Sequence, residues 1–409
     1  MKQNTTITVP KSELFTVFLT ALKLGCTSFG GPAAHIGYFR KEYVERKRWL
    51  SENEYAEIVA LCQFLPGPAS SQVGMAIGMK KAGLPGSAAA WLGFTLPSAV
   101  LLILFALVVG AYDVSGSGWL HGLKIVAVVI VAQAVWGMGK TLAAGAVKGT
   151  IAIASAAALL CFPFSYVQLI VLAAAGSAGW ICLRKEQMIP AAPQAVIKLN
   201  EPAQLTHVKS SISLVLFLLF FIGLPLTATI YPSVWLELAS VFYRTGSLVF
   251  GGGHVVLPLL QQEVVPRGWL TEAQFVTGYG AAQAVPGPLF TFAAYTGSAM
   301  ATGMEAVLMG VVSLLFVFLP SFLLVTAAIP YWAQLCRNAN FQSVVRGINA
   351  GVVGILLAAL YNPVWITAIT SASDLALALV LFAGMTFGKL PPWGAVLAGA
   401  AGGVLLHTI

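Results

Sequence analysis

The sequence predicts an all-α, polytopic integral membrane protein, arranged as a tandem inverted repeat with broken or re-entrant helices. Three observations point there. Charges are too few for a water-facing surface, apolar stretches of spanning length recur, and the second half repeats the glycines and prolines of the first while losing its basic loop.

Of the 409 residues, 58% are hydrophobic and 9% charged, against about 25% charged in an ordinary globular protein. The mean hydropathy is +0.86. Apolar stretches at 84–111, 120–139, 211–229, 306–328 and 391–409 are each long enough to cross a bilayer. Ala, Leu and Gly dominate them without a period of two, so helices are expected and a membrane barrel is not. Residues 1–17 lack the basic, apolar and small-residue succession of a cleaved leader, so the first span is expected to be retained. The cysteines Cys26, Cys62, Cys161, Cys182 and Cys336 form no CxxC pair and no metal-ligand spacing. They read as packing residues, and no cofactor or metal is expected. The net charge is +8, densest at Arg40, Lys41, Arg46, Lys47 and Arg48, where Glu42 and Glu45 interrupt it. That pattern fits topology signalling and lipid contact rather than a nucleic-acid surface.

The chain matches itself. Phe29-Gly30-Gly31 recurs as Phe250-Gly251-Gly252, Trp49-Leu50 as Trp269-Leu270, and Gln63 with Pro66-Gly67-Pro68 as Gln283 with Pro286-Gly287-Pro288. Further on, Gly83 matches Gly303, Leu96-Pro97-Ser98 matches Leu319-Pro320-Ser321, and Gly122 matches Gly347, at an offset that drifts only from 220 to 225 residues. Chance likeness between apolar helices would preserve Leu and Ala, not Gly, Pro, Trp and Gln. A first transmembrane repeat at 1–183, a polar cytoplasmic connector at 184–209 and a second repeat at 210–409 are therefore expected. Between residues 30 and 90 the first repeat carries seven Lys or Arg, whereas residues 251–310 carry only Arg267. Basic loops prefer the cytoplasm, so equivalent loops are expected on opposite sides of the membrane.

Two kinds of break recur. Residues 54–79 would form one span but for Pro66-Gly67-Pro68, and 273–300 would but for Pro286-Gly287-Pro288. Such a break opens the helical ladder, which hydrocarbon tolerates only against protein or a water-filled cavity. A helix half that starts there presents unpaired N–H groups that attract anions. The plain alternative is a kink that shapes packing. The Gly30-Gly31 and Gly251-Gly252 runs are the second pair, where backbone approaches either a ligand or a neighbouring helix. Just beyond them, His35 and His254 could donate to an anion, carry a coupling proton, or serve as satisfied structural histidines.

Lys23 and Arg244 occupy matching places inside apolar stretches. Snorkelling is the plain account, but their duplication favours paired anion-attracting groups. Lys124 beside His121 is a weaker candidate, since Asn349 and Arg346 stand at the matching positions. Glu57, Glu237 and Glu305 lie near segment ends and none reads as a central cation site. No GxxxxGK[ST] loop is present. These residues favour an anionic substrate moved by an ion gradient, by exchange or by downhill flow.

The stretches FGGP from Phe29, EYVERKRWL from Glu42, QFLPGPASSQ from Gln63, GFTLPS from Gly93, FGGGHVVLPLL from Phe250 and GYGAAQAVPGPLFTFAAY from Gly278 closely resemble the chromate transporter family, in its full-length two-domain form. The resemblance implies opposed duplicated halves in a bacterial or archaeal inner membrane and export of chromate, with sulfate as a related substrate. On that footing the expected function is secondary transport of chromate, with protons as a candidate coupling ion. The expected substrate contacts are Lys23, Gly30, Gly31, Gln63, Pro66, Gly67, Pro68, Arg244, Gly251, Gly252, Gln283, Pro286, Gly287 and Pro288, with His35 and His254 as coupling candidates. An anion channel and a sulfate uptake carrier are the alternatives. An intramembrane lipid-phosphate enzyme is a third, with His35, Ser70 and Ser71 but no paired acid and base. The second copy departs from the first in having Gly253 for Pro32 and nothing matching Arg46-Lys47-Arg48, so equal roles for the halves are not expected. Residues 141–183 and 362–409 show little beyond hydrophobicity. Oligomeric state is left open.

Overall fold

The computed structural model describes residues 11–111, 117–162, 165–184, 207–250, 252–332 and 338–408. Every regular element among them is helical. The connector predicted at 184–209, Gly251 and Cys336 fall wholly or largely outside the described residues.

The first half opens with α1 (Lys11–Thr27) and α2 (Gly31–Phe39), which runs into a π-helical turn at Arg40–Arg46. Then come α3 (Glu52–Phe64), α4 (Ala69–Ala111), α5 (Gly118–Leu142), α6 (Ala146–Cys161) and α7 (Ser165–Cys182). Helix α3 starts where the sequence permits it to: Ser51 caps it, and Glu54 returns the bond to the Ser51 N–H at 2.9 Å. It stops at the Pro66-Gly67-Pro68 break. Helix α4 bends sharply at Ala82 and Gly83, where Gly83 takes φ 65. Its first arm runs back along α3, since the Lys80 ammonium at its far end meets the Glu54 carboxylate at the start of α3. Residues 52–81 thus form a helical hairpin broken at Pro66-Gly67-Pro68, and the long arm runs on from Gly83 to Ala111.

The second half repeats this order after one extra helix, α8 (His207–Ile230). Helix α9 (Val234–Leu248) matches α1; α10 (Val256–Val264) matches α2; α11 (Glu272–Ala282) and α12 (Phe292–Ser298) form the second hairpin; α13 (Gly303–Ala328) is the long arm. Thr271 and Gln274 repeat the capping box of Ser51 and Glu54, and Tyr295 closes the hairpin by donating to the Gln274 carbonyl at 2.9 Å. The half ends with α14 (Ala339–Ala359), α15 (Ala372–Thr386) and α16 (Pro392–Thr408). By length and composition, α4, α5, α8, α13 and α14 with its continuation to Ala368 can each cross a membrane. Exposed Leu214, Val215, Leu218, Leu219 and Ile222 make α8 a lipid-facing helix on the outside of the bundle.

The halves are not separate bodies. Helices α6 and α7 of the first pack on α14 of the second, while α15 and α16 of the second pack on α5 of the first. Small residues make both crossings: Gly179 lies against Gly347, and Gly399 lies against Gly122. Gly122 and Gly347 match in the repeat, and Gly179 and Gly399 stand 220 residues apart, so the two crossings are equivalent. The duplication therefore runs through 141–183 and 362–409, where the sequence shows only hydrophobicity.

Candidate functional site

The two Pro-Gly-Pro breaks are tied across the repeat boundary, each to the residue that precedes a Phe-Gly-Gly run of the other half. The Gly67 N–H donates to the Val249 carbonyl at 2.6 Å, and the Gly287 N–H donates to the Ser28 carbonyl at 2.8 Å. Ser28 and Val249 immediately precede the two Phe-Gly-Gly runs and are themselves equivalent. Both glycines have positive φ, 120 at Gly67 and 101 at Gly287. A side chain at Gly67 would collide with Ser321 Oγ, and one at Gly287 would press on Ser98 Oγ, again equivalent residues of opposite halves. Each Pro-Gly-Pro break thus grips the other repeat. The expectation that these two N–H groups are open to an anion is corrected here, because each is consumed by a carbonyl.

Beside this junction lies a cavity of about 180 Å³ lined by Gly30, Gly31, Ile130, Gln133, Ala134, His254, Gln283, Met385 and Pro392. That is several times the roughly 30 Å³ a liquid water occupies. Both halves build it: Gly30 and Gly31 open α2 with φ 97 and 79, and Pro32 sets its first turn. From the second half, Gln283 closes α11 and brings a buried Nε2 donor with no partner among the described residues. His254 points its Nε2 toward Gly31 and fixes its ring through Nδ1, 2.8 Å from the Tyr279 hydroxyl. Helix α5 adds the Gln133 amide. The lining offers neutral donors and the N-terminus of α2, a set that suits a small anion held reversibly.

Of the sequence-predicted contacts, Gly30, Gly31, Gln283 and His254 line this cavity. Gln63 is exposed and Gly252, at φ 140, is half-buried away from the lining. Pro66, Pro68, Pro286 and Pro288 frame the interlocked breaks. Lys23 and Arg244 do not reach the cavity. Lys23 pairs with Glu42 at 3.0 Å, and Arg244 pairs with Glu263 at 2.5 Å; Arg46 and Arg267 share those acids. Glu42 and Glu263 are one repeat apart, so the duplicated cations belong to a duplicated ion pair. His35 is buried, its Nδ1 3.2 Å from Ser70 Oγ and its ring edge-on to Phe94. It stands apart from the lining, and its partner is not the equivalent of Tyr279. Sequence reasoning missed Gln133, a polar residue in the apolar stretch 120–139, which was itself a usable signal. It also missed Met385 and Pro392, which no motif marks.

A second cavity, of about 370 Å³, opens at the other end of α5, α15 and α16. His121 Nε2 lies 2.8 Å from Asp374 there, with Lys124, Ser373 and His407 alongside. No group of three or more His, Cys, Asp or Glu with metal-binding geometry occurs among the described residues.

The family model described as chromate transporter matches residues 15–180 and 236–404. The probable chromate transport protein of Synechococcus elongatus is 29% identical over 350 residues, covering 83% of this chain and 81% of that one. The chromate transport protein of Pseudomonas aeruginosa is 28% identical over 365 residues, covering 86% and 81%. An uncharacterised transporter of Methanocaldococcus jannaschii is 27% identical over 346 residues, covering 84% and 82%. No solved structure matches the chain.

Proposed function

The chain belongs to the chromate transporter family, and from that premise we propose that it exports chromate as a secondary carrier, with sulfate as a competing substrate and protons as the coupling ion. It is a multi-pass inner-membrane transporter, not an enzyme. The observation that carries the finer reading is the cavity shared by Gly30, Gly31, His254 and Gln283. A tetrahedral dianion needs donors that replace its hydration without holding it too tightly. Amide, imidazole and helix-end N–H groups meet that need better than a fixed cation would, because release costs less. The site also sits where the two repeats touch, so relative movement of the halves would expose it to one side and then the other.

The test is uptake of labelled chromate into inside-out vesicles, with sulfate as competitor. Saturable uptake that sulfate inhibits, and that Gln283→Leu weakens through KM at matched abundance, is the expected result. Absence of flux of either anion from folded, oriented protein would end the substrate reading, and a non-saturating ohmic current would replace the carrier with a channel.

A further inference from the structure

The hairpin of the first repeat holds a cluster of charges that the second repeat lacks. Glu54 and Glu57 lie one turn apart on α3, on the same face. Lys80, on the returning arm of α4, is 7% exposed and its ammonium meets Glu54 Oε1. Glu57 is 5% exposed, and its Oε2 is buried without a donor among the described residues. Two carboxyls therefore share one ammonium, and that ammonium is committed to Glu54.

The internal repeat supplies a control. Gln274, Thr277 and Met300 stand where Glu54, Glu57 and Lys80 would recur. The second hairpin keeps the capping box, the break and the return of its arm with these neutral residues. The fold does not require the charges, and burying them costs stability unless each is paired. An unneeded, unpaired carboxyl inside the half that also carries the basic loop calls for a functional account.

We infer that Glu57 is the proton-binding site of the carrier, with Glu54 and Lys80 as its switch. This rests on the carrier reading given above. With Glu57 protonated, Lys80 stays on Glu54, the arrangement seen here. With Glu57 ionised, the ammonium is drawn one turn along α3, about 5 Å toward the Pro66-Gly67-Pro68 break. The two arms of the hairpin then shift against each other, and the break they share holds the Val249 carbonyl of the other repeat. One proton bound or lost at a carboxyl oxygen is thereby converted into movement at the repeat junction. Glu54, partly exposed at the start of α3, leads protons in from the loop side.

Of the surrounding charges, Lys41 on the π turn is exposed to solvent, and the others named next are engaged in pairs. On the π turn, Arg40 pairs with Glu45 and Glu52, and Glu42 pairs with Lys23 and Arg46; on α4, Lys81 faces Glu13 at 3.6 Å. Glu57 is buried beside Glu54 with no donor on its Oε2 among the described residues, whereas Glu54 receives the Lys80 ammonium and the Ser51 N–H.

The experiment compares wild type with Glu57→Gln, which keeps shape and removes the titration, in oriented proteoliposomes. Two fluxes are measured: chromate counterflow at equal pH, and chromate accumulation into an acidic lumen. The variant should keep counterflow within about twofold and lose the accumulation that the pH gradient drives. Wild-type gradient dependence in Glu57→Gln would overturn the assignment. Should that variant fail to insert, proton exchange by the unaltered protein decides: adding chromate to weakly buffered wild type should displace about one proton per chain, and no displacement overturns the proposal. Absence of wild-type counterflow would instead strike the carrier reading, so the two failures are distinguishable.

Discussion

Gly67 and Val249 belong to different repeats, yet the N–H of one donates to the carbonyl of the other at 2.6 Å, and Gly287 and Ser28 return the same bond at 2.8 Å. An exchange of equivalent contacts is what a two-fold relation between the halves produces. It also makes the two glycines the most exacting positions in the junction. Any other residue at their positive φ costs about 1–3 kcal/mol in backbone strain alone. The added side chain would also displace Ser321 or Ser98. Gly67→Leu or Gly287→Leu should therefore lower chromate flux, membrane abundance or both by about tenfold or more. Gly110→Leu is the control, because nothing lies within 4 Å of a Cβ there. Flux and abundance measured together check this, and equal behaviour of all three variants would remove the junction from the mechanism.

The residues that announced themselves in the sequence are those whose backbone geometry admits few substitutes. Gly67, Gly287, Gly83 and Gly303 all take positive φ, and the prolines flanking Gly67 and Gly287 sit where the helical ladder is broken. That is why the duplication and the breaks were legible. The partners of these residues were not. Lys23 and Arg244 look like free cations because Glu42 and Glu263 lie 19 residues on, beyond any helical spacing that would pair them by eye. The exchange of α6 and α7 for α15 and α16 was hidden too, since apolar helices crossing at glycines carry no mark of which partner they choose. The cavity follows from that exchange: Met385 and Pro392 reach it only because α15 and α16 cross onto α5.

The two ion pairs yield a prediction that separates packing from substrate contact. The Lys23 side chain is 49% exposed, so its pair with Glu42 contributes only about 0–1 kcal/mol. Arg244 is the more buried of the two cations, 26% exposed, so its pair with Glu263 is less screened by solvent and its loss leaves that acid to Arg267 alone. Lys23→Gln should leave KM for chromate unchanged and abundance nearly so. Arg244→Gln should lower abundance or thermal stability further, again with KM unchanged. The exchange Lys23→Glu with Glu42→Lys should recover what Lys23→Glu alone loses. A raised KM at normal abundance in either Gln variant would return that cation to the substrate path.

The last prediction concerns orientation. The reciprocal bonds at Gly67 and Gly287 define a two-fold relation but leave open whether its axis lies in the membrane plane or along the normal. The charges favour the first, and labelling tests it. The loop after α2 carries Arg40, Lys41, Arg46, Lys47 and Arg48, whereas its counterpart after α10 carries only Arg267, whose guanidinium is held by Glu263 at 2.6 Å. Basic residues hold short loops in the cytoplasm. An axis along the normal would place both loops on one side and leave this difference without a cause; an axis in the plane places them on opposite sides. Glu45 and Pro266 are exposed in these loops. Each should be replaced singly by Cys in a chain whose native cysteines are Ser, and treated with an impermeant thiol reagent in spheroplasts. Pro266→Cys should label from outside, and Glu45→Cys only after the membrane is opened. Labelling of both from the same side would make the repeats parallel, and the cavity between Gly31 and Gln283 could then no longer be exposed alternately by rocking one inverted half against the other.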